Sequence, residues 1–303
     1  MSLFILGILL FLMGLEICKK CLKMLASKEF KKMIARSTDK LWSSILIGIL
    51  ATAVLQSSSA LSIIIIGLIE ANLIKFKPGM AVMFGANIGT TFTVQIISLP
   101  VLSFYPYLII SGVLLNILSI FTRKDLKKVG ILIICFGVVF SGLNLMTEAF
   151  NKPEIHHLFI NIIKGLNNNK YLGVLGGGMV TAMIQSSSAV TGLLVSLVSQ
   201  DMISLHLAVA AAMGSNIGTC VTAFLASIKG TKSSISLAIG HFLFNLLGVI
   251  FFLFIFDFFI GLIKLTSVLP TRQLANAHSI FNIITLLIIL PCFNSIVKIL
   301  KPE

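Results

Sequence analysis

Two runs of Gln-Ser-Ser-Ser, at 56–59 and 185–188, each sit inside a long apolar stretch, 129 positions apart. Polar side chains in an apolar medium are costly unless they are partnered. Their repetition therefore constrains the fold more than any other feature of the chain. Slid along itself by 129 positions, the sequence matches without a gap. Thr52-Ala53 falls on Thr181-Ala182, Gly85 on Gly214, and Asn87-Ile88-Gly89-Thr90 on Asn216-Ile217-Gly218-Thr219. Thr93 meets Thr222, and Asn116 meets Asn245. Between 56 and 93, 14 of 38 positions are identical, and they cluster on polar and glycine residues while the apolar filler has drifted. An upstream helix repeats as well, Gly7 through Gly14 resembling Gly130 through Gly137 at an offset of 123. Leu and Ile resemble each other by composition alone; matched polar residues in apolar surroundings do not. The chain is an internal duplication.

Only 11% of residues are charged and 57% are hydrophobic, against about 25% charged in soluble domains. Apolar runs long enough to cross a hydrocarbon core of about 30 Å are expected at 3–18, 80–99, 105–121, 130–147, 203–228, 234–256 and 275–297. The alternating ten-residue pattern of a membrane barrel is absent. The expected class is an all-α membrane protein. The net charge of +13 does not point to nucleic acid, because the basic residues lie between apolar segments, where they orient helices. The five cysteines suggest no disulfide framework, and Cys18-x-x-Cys21 lacks a second metal-binding pair. With basic residues after it and none before it, the first helix reads as a retained span rather than a signal peptide.

Residues 19–40 carry eight Lys/Arg and residues 123–128 four more, which places both loops in the cytoplasm. Three full crossings between them would put the second loop on the wrong side. The conflict disappears if 41–69 enters and returns on one side. Its 29 residues are too short to cross twice but suffice for two half-depth helices joined at Gln-Ser-Ser-Ser. Such re-entrant segments are tolerated where their open backbone faces protein or water. The expected organisation is a first repeat over 3–121 with a hairpin about 41–69, then an inverted second repeat over 129–263 with a hairpin about 171–199. An extra helix over 275–297 returns the C-terminus to the cytoplasm. This arrangement puts 18 basic residues inside and 5 outside. A single full span for each Gln-Ser-Ser-Ser stretch is the alternative. His156 and His157, in an outer loop, carry no assigned role. The basic 19–40 loop is expected to contact anionic lipid headgroups.

Inverted repeats with broken helices near the midplane are a recurrent design of secondary transporters. Serine hydroxyls and backbone N–H groups at a half-helix N-terminus suit oxyanions. Gln and Asn oxygens, hydroxyls and freed carbonyls suit Na⁺. All three arginines (36, 123, 272) fall in loops and no lysine sits mid-span. The charge of a bound anion must then be offset by helix dipoles and co-bound cations, which is a physical reason for coupling. Glu16, Glu70, Glu148, Asp201 and Asp257 lie mostly at segment ends, so no paired carboxylates suggest a proton relay.

The paired Gln-Ser-Ser-Ser runs, each followed by Gly-x-Asn-Ile-Gly-Thr at 85–90 and 214–219, resemble the type II sodium/phosphate cotransporter family over roughly residues 3–297. The resemblance implies a non-enzymatic symporter in the plasma (inner) membrane that takes up inorganic phosphate with Na⁺ by alternating access, and it implies no other cofactor. It assigns Ser57, Ser58, Ser59, Ser186, Ser187 and Ser188 to phosphate and ion contacts. Gln56 and Gln185 organise the hairpins or coordinate Na⁺, and Asn87, Thr90, Asn216 and Thr219 line the site. A supporting layer is drawn from Thr52, Thr91, Asn116, Thr181, His241, Asn245, His278 and Asn282. Asn116 and Asn245 are expected as interhelical glue. His241/Asn245 recur as His278/Asn282 at i, i+4 spacing and are expected to hydrogen-bond the hairpins. Two departures stand out. Many bacterial relatives carry a C-terminal domain resembling the phosphate-signalling regulator PhoU, so a chain ending at Glu303 is expected to be the transport core alone. Cys220 also stands where the first copy has Thr91. A different oxyanion or driving cation on the same architecture is the alternative. An intramembrane serine hydrolase using Ser58 or Ser187 with His241 or His278 lacks the Gly-x-Ser-x-Gly elbow and gives no reason for a duplicated nucleophile.

Overall fold

The computed structural model describes residues 2–25, 40–99, 104–121, 124–150 and 168–301, together with 152 and 165. The greater part of the basic 19–40 loop, Arg123, and the outer loop with His156 and His157 lie outside the described residues. The described residues form thirteen α-helices and one 3-10 turn, without a strand. The first six are α1 (Ser2–Leu25), α2 (Leu41–Leu55), α3 (Ser58–Glu70), α4 (Phe76–Ile97), α5 (Tyr105–Phe121) and α6 (Lys124–Phe150). The rest are α7 (Lys170–Ile184), α8 (Ser187–Ser199), α9 (Leu205–Ser227), α10 (Lys232–Phe254), α11 (Phe256–Lys264), α12 (Pro270–Ile289) and α13 (Phe293–Leu300).

The duplication is written into the helix boundaries. α2, α3 and α4 start at 41, 58 and 76, and α7, α8 and α9 at 170, 187 and 205; every pair is offset by 129. α2 lies directly on α4 because glycines let the backbones meet. A Cβ on Gly85 would come within 2.1 Å of the Ile45 carbonyl oxygen, and one on Gly89 within 2.4 Å of that of Ile49. The order of these contacts makes α2 and α4 run parallel. α3 lies between them in sequence and returns alongside α4, with Ile69 packed at Gly79 near the start of α4. The second copy repeats the arrangement, Gly214 against Val174 and Gly218 against Gly178. Each half thus holds a helix, a break and an antiparallel return. At about 22 Å and 20 Å, α2 and α3 are each shorter than a hydrocarbon core.

Among the described residues five helical segments are long and apolar enough to cross a membrane: Phe76–Ile97, Leu126–Ala149, Leu205–Ser227, Lys232–Phe254 and Pro270–Leu300. Ser2–Cys18 and Tyr105–Ile120 are apolar but a little shorter. The outward faces are rich in exposed large apolar side chains, such as Leu114, Ile117 and Ile120 on α5, as lipid requires and water would not tolerate. The protein is an integral membrane protein built from helices.

Two buried clusters organise the interior. One gathers α2, α3 and α4 with parts of α10, α12 and α13; the other gathers α1, α6 and α8 with parts of α9 to α12. α1 packs along α6, where Gly7 and Gly142 allow close approach, and Phe11 reaches Gly192 on α8. Two features go beyond the sequence expectation. The chain turns at Ile255 into the short α11, whose Phe256, Phe259, Ile260 and Ile263 are buried. There His206 Nε2 donates to Asp257 Oδ1 at 2.9 Å, which holds that carboxyl below its ordinary value. The last span is also interrupted by a 3-10 turn at Leu290–Cys292, where Pro291 removes a backbone donor.

Helix ends meet as two separate groups. Asn72, Lys75 and Lys77 before and in α4 share a cavity with Ser233 of α10 and Lys298 and Lys301 at the chain end. Ser98 and Leu99 after α4 share another with Ser199, Asp201 and Leu269–Thr271. Arg272 Nη1 donates to the Gln95 carbonyl at 2.8 Å within that second group.

Candidate functional site: two broken helices in contact

Both Gln-Ser-Ser-Ser runs break the helix in the same way. Gln56 (φ 51°, ψ 28°) and Gln185 (φ 58°, ψ 28°) adopt the left-handed conformation, which ends α2 and α7. The next residue, Ser57 or Ser186, is extended and caps the following helix. Its hydroxyl accepts from the backbone N–H of Ala60 at 3.2 Å or Ala189 at 3.3 Å. A serine N-cap of this type contributes about 1 kcal/mol. One residue on, Ser62 Oγ donates to the Ser58 carbonyl at 2.9 Å, and Thr191 Oγ1 to the Ser187 carbonyl at 2.8 Å. The duplicated sequence therefore produces a duplicated device: a left-handed break, a serine cap and a hydroxyl staple.

The two breaks touch. Ser59 Oγ donates to the Gln185 carbonyl at 3.3 Å, across 126 residues. The N-termini of α3 and α8, the positive ends of both helix dipoles, thus converge. Ser58, Ser187 and Ser188 are buried, yet their hydroxyls make no hydrogen bond among the described residues. No Lys, Arg, Asp or Glu is buried among the described residues. Whatever charge enters here meets dipoles, hydroxyls and carbonyls rather than side-chain ions.

The halves differ at Gln. Gln56 is buried, donates from Nε2 to the Ala53 carbonyl at 2.5 Å, and accepts on Oε1 from Thr93 Oγ1 at 2.5 Å. Gln185 is exposed, and Thr222, the counterpart of Thr93, donates instead to the Thr219 carbonyl of its own helix at 2.8 Å. Thr93 was absent from the expected site residues; its recurrence as Thr222 was the available signal.

Behind the breaks, two buried networks repeat with nearly the same dimensions. Asn87 Oδ1 accepts from His241 Nε2 at 3.0 Å, Asn87 Nδ2 donates to Asn245 Oδ1 at 3.0 Å, and Asn245 Nδ2 donates to the His241 carbonyl at 3.0 Å. Asn216, His278 and Asn282 repeat this at 3.0, 2.9 and 2.8 Å. An amide oxygen only accepts, so each histidine carries its proton on Nε2; both Nδ1 atoms are buried without a partner. The histidines thus bond the Asn-Ile-Gly-Thr helices α4 and α9, not the hairpins as expected from sequence. The reason is packing: α10 and α12 present their His/Asn faces to α4 and α9. Asn245 also donates to Cys220 Sγ at 3.3 Å, which ties the first motif to the second where Thr91 is not reproduced.

Thr90 and Thr219 donate to carbonyls of their own helices at 3.0 and 2.9 Å, and Thr91 does the same at 2.8 Å. Thr52 and Thr181 pack against Gly89 and Gly218, and their hydroxyls are buried and unpartnered. Asn116 stands apart from the site, donating to the Gly112 carbonyl at 3.0 Å beside Gly130 in the α5–α6 pair. The counterpart of Asn245 around the site is Asn282, not Asn116.

Residues 10–148 and 154–286 match the family described as Na+/Pi-cotransporter. YqeW of Bacillus subtilis, an uncharacterized protein, is 31% identical over 290 residues, covering 95% of this chain and 92% of its own length. The protein of Escherichia coli named "Putative inorganic phosphate export protein YjbB" is 23% identical over 296 residues. That alignment takes in 97% of this chain but only 54% of YjbB. The bovine "Sodium-dependent phosphate transport protein 2B" is 39% identical over 84 residues, 26% of this chain and 12% of that protein. No solved structure matches.

Proposed function

The chain belongs to the Na+/Pi-cotransporter family, and from that membership we propose that it couples Na⁺ movement to transport of inorganic phosphate through the paired Gln-Ser-Ser-Ser breaks. The family is one of transporters, which sets the hydrolase alternative aside. The observation that carries the reading is the contact between the breaks, Ser59 Oγ to the Gln185 carbonyl. Two half-helix N-termini with buried serine hydroxyls offer an oxyanion what it needs. The C-terminal carbonyls of α2 and α7, with Thr52 and Thr181 hydroxyls nearby, offer hard oxygen to Na⁺. With no cationic side chain buried among the described residues, phosphate binds well only with co-bound Na⁺, and this supplies the coupling.

The mechanism is alternating access. Each hairpin enters and returns on one side, and the second repeat is inverted relative to the first. Supporting this, helix ends assigned to the cytoplasm by charge share one cavity and those assigned to the outside share the other. The unequal states of Gln56 and Gln185 also fit two halves caught in different positions. Phosphate moving outward is a second reading, favoured by the name of the Escherichia coli relative; in a symporter the gradients set the direction. The test is Na⁺-driven phosphate flux in reconstituted protein carrying Ser58→Ala or Ser187→Ala.

A further inference from the structure

The cavity where α3, α4, α10 and α13 meet has a volume of about 560 Å³ and a distinctive lining: Lys75, Lys77, Lys298 and Lys301, with Asn72 and Asn294. Among the described residues no carboxylate lines it, and none of the four lysines forms an ion pair. Glu70, which is adjacent in sequence, accepts from Ser234 Oγ at 3.0 Å instead. Phe76 and Val297, both buried, form part of an apolar floor beneath the amines.

The duplication supplies an internal comparison. Position 204 corresponds to 75 and position 206 to 77. In the second copy Ser204 caps α9, its Oγ accepting from the Leu207 N–H at 3.1 Å, and His206 is paired with Asp257. In the first copy Lys75 occupies the cap without a side-chain hydrogen bond, and Lys77 has no acidic partner. Where one half satisfies its helix end internally, the other leaves backbone donors and four ammonium groups facing a cavity. Basic pockets between helices at a membrane face are suited to phosphorylated headgroups.

We propose that this cavity binds a phosphoryl group, either the headgroup phosphate of an anionic phospholipid or free inorganic phosphate, at a site separate from the Gln-Ser-Ser-Ser breaks. The test uses delipidated full-length chain already carrying Ser58→Ala and Ser187→Ala, so that phosphate at the breaks does not contribute. Calorimetric titration compares dioctanoyl phosphatidic acid, dioctanoyl phosphatidylcholine and inorganic phosphate. They are titrated into this parent and into the same chain with Lys75→Ser, Lys77→Gln, Lys298→Gln and Lys301→Gln added. Binding of an anionic probe is expected to weaken by at least about tenfold, and to weaken with added salt, while phosphatidylcholine is unaffected. Loss confined to phosphatidic acid identifies a lipid headgroup as the ligand; loss confined to inorganic phosphate identifies the free ion. Lys75→Ser alone removes one ammonium group; with Pro78 standing where Leu207 donates to Ser204, the new hydroxyl has the Lys77 N–H as its available donor. This substitution keeps the helix end intact and is expected to weaken binding by about fivefold, which decides the matter if the fourfold variant does not fold. Absence of binding of either anionic probe to the parent, or equal affinity in parent and folded variants, overturns the proposal.

Discussion

Alanine at Gly176 and alanine at Gly177 place the same methyl group on adjacent positions of α7, with opposite expected consequences. At Gly176 a Cβ meets nothing within 4 Å. Replacing a helical glycine there should stabilise by up to about 1 kcal/mol. At Gly177 the Cβ would lie 2.0 Å from the Ala211 carbonyl oxygen and 2.6 Å from its carbon. Carbon–oxygen contacts between helices settle at about 3.3–3.6 Å, so α7 and α9 must part by at least about 1.3 Å. Overpacking costs about 1–3 kcal/mol when side chains can shift. Here the obstacle is backbone, so the upper figure applies, reduced by about 1 kcal/mol of helix propensity. The two variants should therefore differ by about 3 kcal/mol. A thiol-reactive dye assay reads this in detergent, because Cys18, Cys135 and Cys220 are buried and become accessible on unfolding, while exposed Cys292 reacts throughout. Gly177→Ala should melt several degrees below the parent and Gly176→Ala at or above it. Equal melting of the two variants would refute the close approach of α7 to α9, on which the position of the second break depends.

Thr93→Val removes the donor to Gln56 Oε1 and leaves a buried acceptor unpaired, at a cost of about 1–3 kcal/mol. Thr222→Val removes only a bond within its own helix and should cost less than about 1 kcal/mol; equal losses in the same assay would contradict the asymmetry of the two halves. The inverted topology predicts that a cysteine introduced in 264–272 is labelled by an impermeant reagent from outside, and one in 123–128 only from inside. Labelling of both from one side would exclude it.

The duplicated breaks were legible because their signal is chemical. A Gln-Ser-Ser-Ser run in an apolar stretch has few ways to satisfy its polar groups, and α3 and α8 start where those runs predict. The Asn-Ile-Gly-Thr helices were legible through their repetition; that their glycines mark the backbone approach of α2 to α4 and of α7 to α9 comes from the structure. The partners of Asn87 and Asn216 were only half legible. His241/Asn245 and His278/Asn282 stood out as a recurring pair, but they belong to α10 and α12, 37 residues apart, outside the gapless 129-residue register. That register matched Asn245 to Asn116, which lies away from the site. α11 was not foreseen, because Phe256–Lys264 continues the apolar run of α10 and nothing local marks the turn at Ile255. The different burial of Gln56 and Gln185 is beyond reach of sequence, since identical motifs differ only through the helices packed against them.

The most direct test is uptake of radiolabelled phosphate into proteoliposomes under an inward gradient of Na⁺, of K⁺ or of protons, with the native chain, Ser58→Ala and Ser187→Ala. Paired half-sites predict uptake by the native chain with Na⁺ alone, and its loss in each serine variant even though both melt like the parent. Uptake that ignores Na⁺, or native rates in both serine variants, would contradict the account.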